Sequence, residues 1–219
     1  MKKTLGGKNM KKMKALKKLL CVLLTAALLF TAVLPAFAKS DPSVVRMSIV
    51  SYFKNAASTG HAWLYFENLS KKTVTVGVYK LKPGNGISVG TFGYIRKEGP
   101  GVYYNLESYI TNHQGTNGRV SLSQDITASQ LKKVSKKINR FKSKWNVAQN
   151  CTYFAEKVWN TVAKIRISAA ATPYALRKAI RRHDWEKNLY HQPVSARRVF
   201  KQKGSSLKRV RSSALKAGL

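Results

Sequence analysis

Cys151 and His61 are the two residues whose types and surroundings best suit covalent chemistry. Cys151 lies in Asn150-Cys151-Thr152-Tyr153-Phe154-Ala155, where a good N-cap residue opens an amphipathic helical pattern. His61 lies far upstream, in Thr59-Gly60-His61-Ala62-Trp63-Leu64-Tyr65-Phe66, a pattern that predicts a half-buried strand. A thiolate attacks an acyl carbon, and an imidazole takes the thiol proton and returns it to the leaving group. A helix N-terminus favours the thiolate, because its unsatisfied N–H groups create positive potential there. Gly60 permits close backbone approach just before the histidine. Each residue also has a plainer reading. A lone cysteine at a helix start fits a small buried apolar residue, and a histidine on an apolar strand fits a hydrogen-bonded core position.

Several predicted elements hold these two residues. Strands are expected at Val44–Phe53, His61–Glu67, Thr73–Tyr79, Ile87–Phe92 and Val102–Tyr109, with a short one near Val120–Leu122. Lys82-Pro83-Gly84-Asn85-Gly86 and Gly99-Pro100-Gly101 are breakers, and Thr111–Gly118 is expected to be a loop. The pattern then turns helical. Thr127-Ala128-Ser129-Gln130 matches a capping box, followed by Leu131, Val134, Ile138 and Phe141 on one face. A second helix starts at Asn150 and buries Phe154, Val158 and Val162. A third starts at Thr172-Pro173 and ends near His183. Strands first and helices later predict an α+β fold, an antiparallel sheet followed by helices in one domain.

The ends of the chain read differently. Lysines crowd residues 2–18, an apolar run follows from Leu19 to Phe37, and Ala36-Phe37-Ala38 suits signal-peptidase cleavage. Residues 1–38 are therefore expected to be a signal peptide, and the protein to be secreted or associated with a bacterial-type cell envelope. An uncleaved anchor is the alternative. Without residues 1–38, which hold eight lysines and no acid, the remaining 181 residues carry a formal charge of +25, against +33 for the whole chain. Cys21 leaves with the leader, so Cys151 has no partner for an internal disulfide. The domain is expected to span residues 39–190, and residues 191–219, which contain no acid, to form a basic, poorly packed tail.

Gly60-His61-Ala62-Trp63 followed by Asn150-Cys151-Thr152-Tyr153-Phe154-Ala155 resembles the circularly permuted branch of the NlpC/P60 papain-like superfamily. In that branch the histidine strand precedes the cysteine helix. The resemblance covers about Ser43 to Arg182 and rests on these two short motifs. It implies a permuted papain-like domain with Cys151 as nucleophile and His61 as general base. It further implies hydrolysis or acyl transfer at amide, peptide or ester bonds of envelope peptides or lipids. The family's third group is a polar residue that orients the histidine, and it comes from a strand between the two motifs. Thr75, Asn105 and Glu107 are the candidates, with Asn105 or Glu107 preferred because strand alternation puts Tyr103, Asn105 and Glu107 on one face. The backbone N–H of Cys151 would supply an oxyanion donor.

His113, His183 and His191 are expected at the surface. No Cys-x-x-Cys, His-Glu-x-x-His or carboxylate cluster occurs, so neither a metal nor another cofactor is expected. The charge points to anionic envelope polymers or phospholipid headgroups as partners, beside a peptide or lipid substrate. Basic residues beside aromatics (Lys142, Lys144, Trp145; Arg181, Arg182, Trp185) suit nucleic acid, but export and the lack of a named motif weigh against that partner. A cationic membrane toxin fits poorly, because the charge is spread over a well-patterned chain rather than on one amphipathic helix. The remaining alternative to an enzyme is a catalytically inactive, highly basic envelope-binding protein of the same fold.

Overall fold

His61–Asn68 forms a strand in which alternate side chains serve opposite faces of a sheet. A computed structural model describes this strand among residues 41–53, 60–93, 98–114, 117–141, 146, 148–168, 172–191 and 198–211. The expected signal peptide at 1–38 and the Lys142, Lys144, Trp145 cluster lie outside the described residues, as does the side chain of His113. Residues 41–219 form one unit. Its strands are β1 (Ser43–Tyr52), β2 (His61–Asn68), β3 (Val74–Val76), β4 (Tyr79–Leu81), β5 (Gly86–Phe92), β6 (Gly101–Tyr104), β7 (Val120–Thr127), β8 (Glu186–Lys187), β9 (Phe200–Lys203) and β10 (Ser206–Arg209). Its helices are α1 (Leu106–Gln114), α2 (Ala128–Arg140), α3 (Cys151–Trp159) and α4 (Pro173–Ile180).

The fold is mixed α+β around an eight-stranded antiparallel sheet ordered β10-β9-β6-β5-β2-β1-β7-β8. One face is aliphatic. Met47 and Ile49 of β1, Ala62, Leu64 and Phe66 of β2, and Ile87 and Val89 of β5 form its core. Three helices supply the other half of that core: Leu131, Val134 and Ile138 from α2, Phe154 and Val158 from α3, and Leu176 and Ile180 from α4. Complete burial of one such side chain contributes about 1.5–3 kcal/mol. The opposite face carries Val50, Trp63 and Tyr65 at the centre and Tyr103 with Leu106 further along.

All three of these helices start at side-chain caps. Thr127 Oγ1 accepts from Gln130 N at 3.3 Å while Gln130 Oε1 accepts from Thr127 N at 2.9 Å, a complete capping box. Asn150 Oδ1 accepts from Tyr153 N at 3.1 Å and starts α3. Thr172 Oγ1 accepts from Ala175 N at 3.2 Å, with Pro173 in the first turn of α4.

The structure corrects the sequence reading in four places. The single strand expected at Thr73–Tyr79 is a small hairpin, β3 and β4, turned at Gly77, whose φ of +59° a side chain would resist. The strand expected at Val102–Tyr109 stops at Tyr104. Asn105 takes a φ of +64°, which asparagine tolerates, and the chain then coils into α1, where a loop had been expected from Thr111. Helices and strands therefore do not simply follow one another. The basic tail is also structured where it is described: residues 198–211 form a hairpin, β9–β10, that pairs with β6 through Tyr103↔Lys201 and Tyr104↔Phe200. Val199 and Val210 are buried there against Leu106 and Tyr103. Finally, His191 is buried rather than at the surface, at 1% exposure. Among the described residues no helix is long and apolar enough to cross a membrane.

Candidate active site

The candidate site lies where β2 begins. Gly60 adopts a φ of +63°, and a Cβ there would fall 2.6 Å from the Tyr52 carbonyl oxygen and 3.1 Å from Pro173. Only glycine lets the chain enter the strand so tightly against α4, and this entry sets the direction of His61. The imidazole is flanked by Phe92 (ring centroids 4.2 Å apart) and by Trp63 (5.7 Å, 20° between planes).

Glu107 reaches this histidine from the first turn of α1. His61 Nε2–H donates to Glu107 Oε1 at 3.2 Å, and the Glu107 side chain is 1% exposed. The carboxylate rests directly on β5. A Cβ at Gly90 would come within 1.8 Å of Oε1, so the carboxylate occupies the room a side chain would fill. Ser88 anchors the start of α1: its carbonyl accepts from Asn105 N at 2.8 Å and its hydroxyl from Ser108 N at 3.1 Å.

Cys151 approaches from the other side of the sheet, as the first residue of α3, and is 8% exposed. With Nε2 of His61 on Glu107, Nδ1 is the ring nitrogen left to face the thiol. Burial pushes the Cys151 thiol up. The His61 charge and hydrogen bond, the Ala62 N–H and the Thr152 hydroxyl together more than reverse this, and its pKa is lowered overall. Thr152 Oγ1 is buried and has no other hydrogen-bond partner among the described residues. Burial likewise disfavours the charged imidazole, but Cys151 and then Glu107 outweigh it and push His61 up to about 9. A lowered thiol beside a raised imidazole marks the two as one coupled pair, in which the charged form of each favours the charged form of the other.

The other expected site residues fall elsewhere. Asn105 is next to Glu107 in sequence, yet its Nδ2 donates to the Arg198 carbonyl at 3.0 Å and braces the C-terminal hairpin. Thr75 is exposed on β3, where its carbonyl accepts from Ser135 Oγ at 2.9 Å, packed with α2 rather than with His61. Phe92, Thr152 and Trp63 also join the site: Trp63 and Thr152 lie inside the two motifs, which assign them no role, and the neighbourhood of Phe92 carries no chemical signal. Glycine at position 90, opposite an aromatic strand, was the available hint that something must occupy the space. Among the described residues no group of three or more His, Cys, Asp or Glu side chains is placed to hold a metal. A groove of about 640 Å³ between β3 and α2, floored by Val44, Val74 and Leu131, shares no lining residue with the Cys151 site.

No family model, curated protein or solved structure matches the chain.

Proposed function

We propose that the chain is an exported cysteine hydrolase of the permuted papain-like type, cleaving or transferring acyl groups at amide, peptide or ester bonds of envelope peptides or lipids. The observation that carries this reading is the Cys151–His61–Glu107 arrangement: a thiol lowered by an imidazole whose Nε2 sits 3.2 Å from a buried carboxylate. The Cys151 thiolate attacks the substrate carbonyl, and the backbone N–H at the start of α3 supports the oxyanion. The tetrahedral intermediate collapses to a thioester as the His61 imidazolium gives its proton to the leaving amine or alcohol. Neutral His61 then takes a proton from water, the resulting hydroxide attacks the thioester, and the acid leaves as the thiolate re-forms beside imidazolium. Glu107 holds the ring and favours its protonated form. The positive charge along the chain retains the protein among anionic envelope polymers or phospholipid headgroups.

The first test is the pH dependence of iodoacetamide alkylation of mature protein, wild type beside His61→Ala. A thiolate that titrates well below the usual thiol range of about 8.5, and loses that shift in His61→Ala, supports the pair and justifies screening wall peptides and acyl esters. Slow alkylation at an ordinary thiol pKa, indifferent to His61, overturns the enzyme and leaves a basic envelope-binding protein.

A further inference from the structure

Trp63 stands two residues beyond His61 on the same face of β2, its indole nearly parallel to the imidazole. That indole is held in place: its Nε1–H donates to His191 Nε2 at 2.8 Å. His191 is fixed in turn. It is buried, its Nδ1–H donates to the Leu189 carbonyl at 2.8 Å, and its ring lies against Tyr65 with centroids 4.4 Å apart. A donor on one side and a carbonyl on the other admit a single neutral tautomer, with the lone pair on Nε2. The groups around the ring are Trp63, Tyr65, the Leu189 carbonyl and the positive charge of Arg119. Burial, reinforced by Arg119 and only partly offset by Leu189, holds His191 down to about 3, so it remains an acceptor at any ordinary working pH.

We propose that His191 is a positioning residue for the Cys151–His61 site: it pins Trp63 so that the indole π face stabilises the imidazolium of the ion pair. The proposal rests on the ion-pair reading above. An aromatic face attracts a cation within about 6 Å of its centroid, most strongly where water is excluded. Trp63 and His61 meet that distance at 5.7 Å, and giving its N–H to an acceptor leaves the indole richer in electron density. A chain of two side chains thus links residue 191 to the charge state of Cys151, which it does not need to touch.

The experiment titrates Cys151 by alkylation rate across pH in the mature chain, with folding followed by circular dichroism. His191→Phe fills the space but removes the acceptor, and should raise the thiol pKa by about half to one unit. His191→Gln restores an oxygen acceptor near the Nε2 position and should return the titration to that of wild type. Trp63→Phe keeps an aromatic face but has no N–H, and should shift the thiol in the same direction as His191→Phe. Combining it with His191→Phe should add no further shift. Wild-type titration in folded His191→Phe or in Trp63→Phe overturns the proposal, as do equal shifts in His191→Gln and His191→Phe, which would reduce the role to packing. If His191→Phe fails to fold, the contrast between Trp63→Phe and His191→Gln decides in the same way. A wild-type thiol that titrates in the ordinary range overturns the ion-pair reading itself and this proposal with it, whereas a low wild-type value unmoved by the variants removes only the role of His191.

Discussion

Along the same strands, one face of the sheet is aliphatic while the other mixes aromatic, hydroxyl and charged groups. Ala62, Leu64 and Phe66 look toward α2, α3 and α4, whereas His61, Trp63 and Tyr65 alternate with them toward α1 and residues 189–191. The polar members of the second face include Ser48, bonded to Ser123 at 2.8 Å, and Ser88, which holds the start of α1. An aliphatic layer and the layer that carries His61 and Glu107 therefore lie one residue apart in sequence. Cys151 joins them, since it belongs to a helix of the first layer and meets an imidazole from the second.

Substitutions that spare one face and damage the other test this division, beginning with the largest effect. Phe66→Ala should cost about 3–5 kcal/mol by chemical denaturation, because it empties a fully buried position. Ser48→Ala should cost only about 1 kcal/mol. Equal losses would break the contrast. On the second face, Glu107→Gln should slow alkylation of Cys151 at pH 6 about tenfold, one unit of thiol pKa, by removing an opposite charge beside His61. Gly90→Ala should act in the same direction, because its Cβ displaces the carboxylate. A normal titration in Gly90→Ala would show that the carboxylate does not need its seat on β5.

The pH profile sharpens the picture further. His61 is raised to about 9, so its imidazolium persists through neutral pH and is lost as pH rises through that value. Once a substrate is in hand, kcat/KM should therefore fall above about pH 9, and in Glu107→Gln this alkaline limb should move to lower pH, because Glu107 raises His61. The acid limb belongs to Cys151, whose lowered pKa moves it below the ordinary thiol range. The smallest effect is expected at Thr127→Ala, which removes half of a capping box in the first layer. It should lower stability by about 1 kcal/mol and leave the Cys151 titration where it is.

How much could be read from the residues depended on how local the signal was. Helix starts at Thr127, Asn150 and Thr172 are written in neighbouring side chains, and the structure places caps at all three. Alternation marked β1, and runs of strand-favouring residues marked β2 and β5. Asn105 and Glu107 were chosen as residues of one strand face. Glu107 meets His61 from a helix instead, because the backbone reverses its habit at Asn105 and strand alternation no longer applies. An acid soon after a turn-tolerant asparagine is a helix-start signal that the preceding aromatic run obscures. His191 offered nothing nearby, since its meaning lies in Trp63, which only strand pairing and the return of the chain bring to it. The β9–β10 hairpin was hidden by its lysines, although Val199, Gly204 and Val210 mark two strand ends and a turn.

That hairpin has a consequence in time as well as in space. The Arg198 carbonyl, Val199 and Val210 brace the segment that carries Glu107, and they follow His61, Glu107 and Cys151 along the chain. A polypeptide emerging from its N-terminus presents the histidine and the cysteine long before this brace exists. His61, Glu107 and Cys151 are thus all present on the growing chain before the segment that carries Glu107 gains its brace. A copy that ends before Arg198 lacks the brace on the segment that carries Glu107.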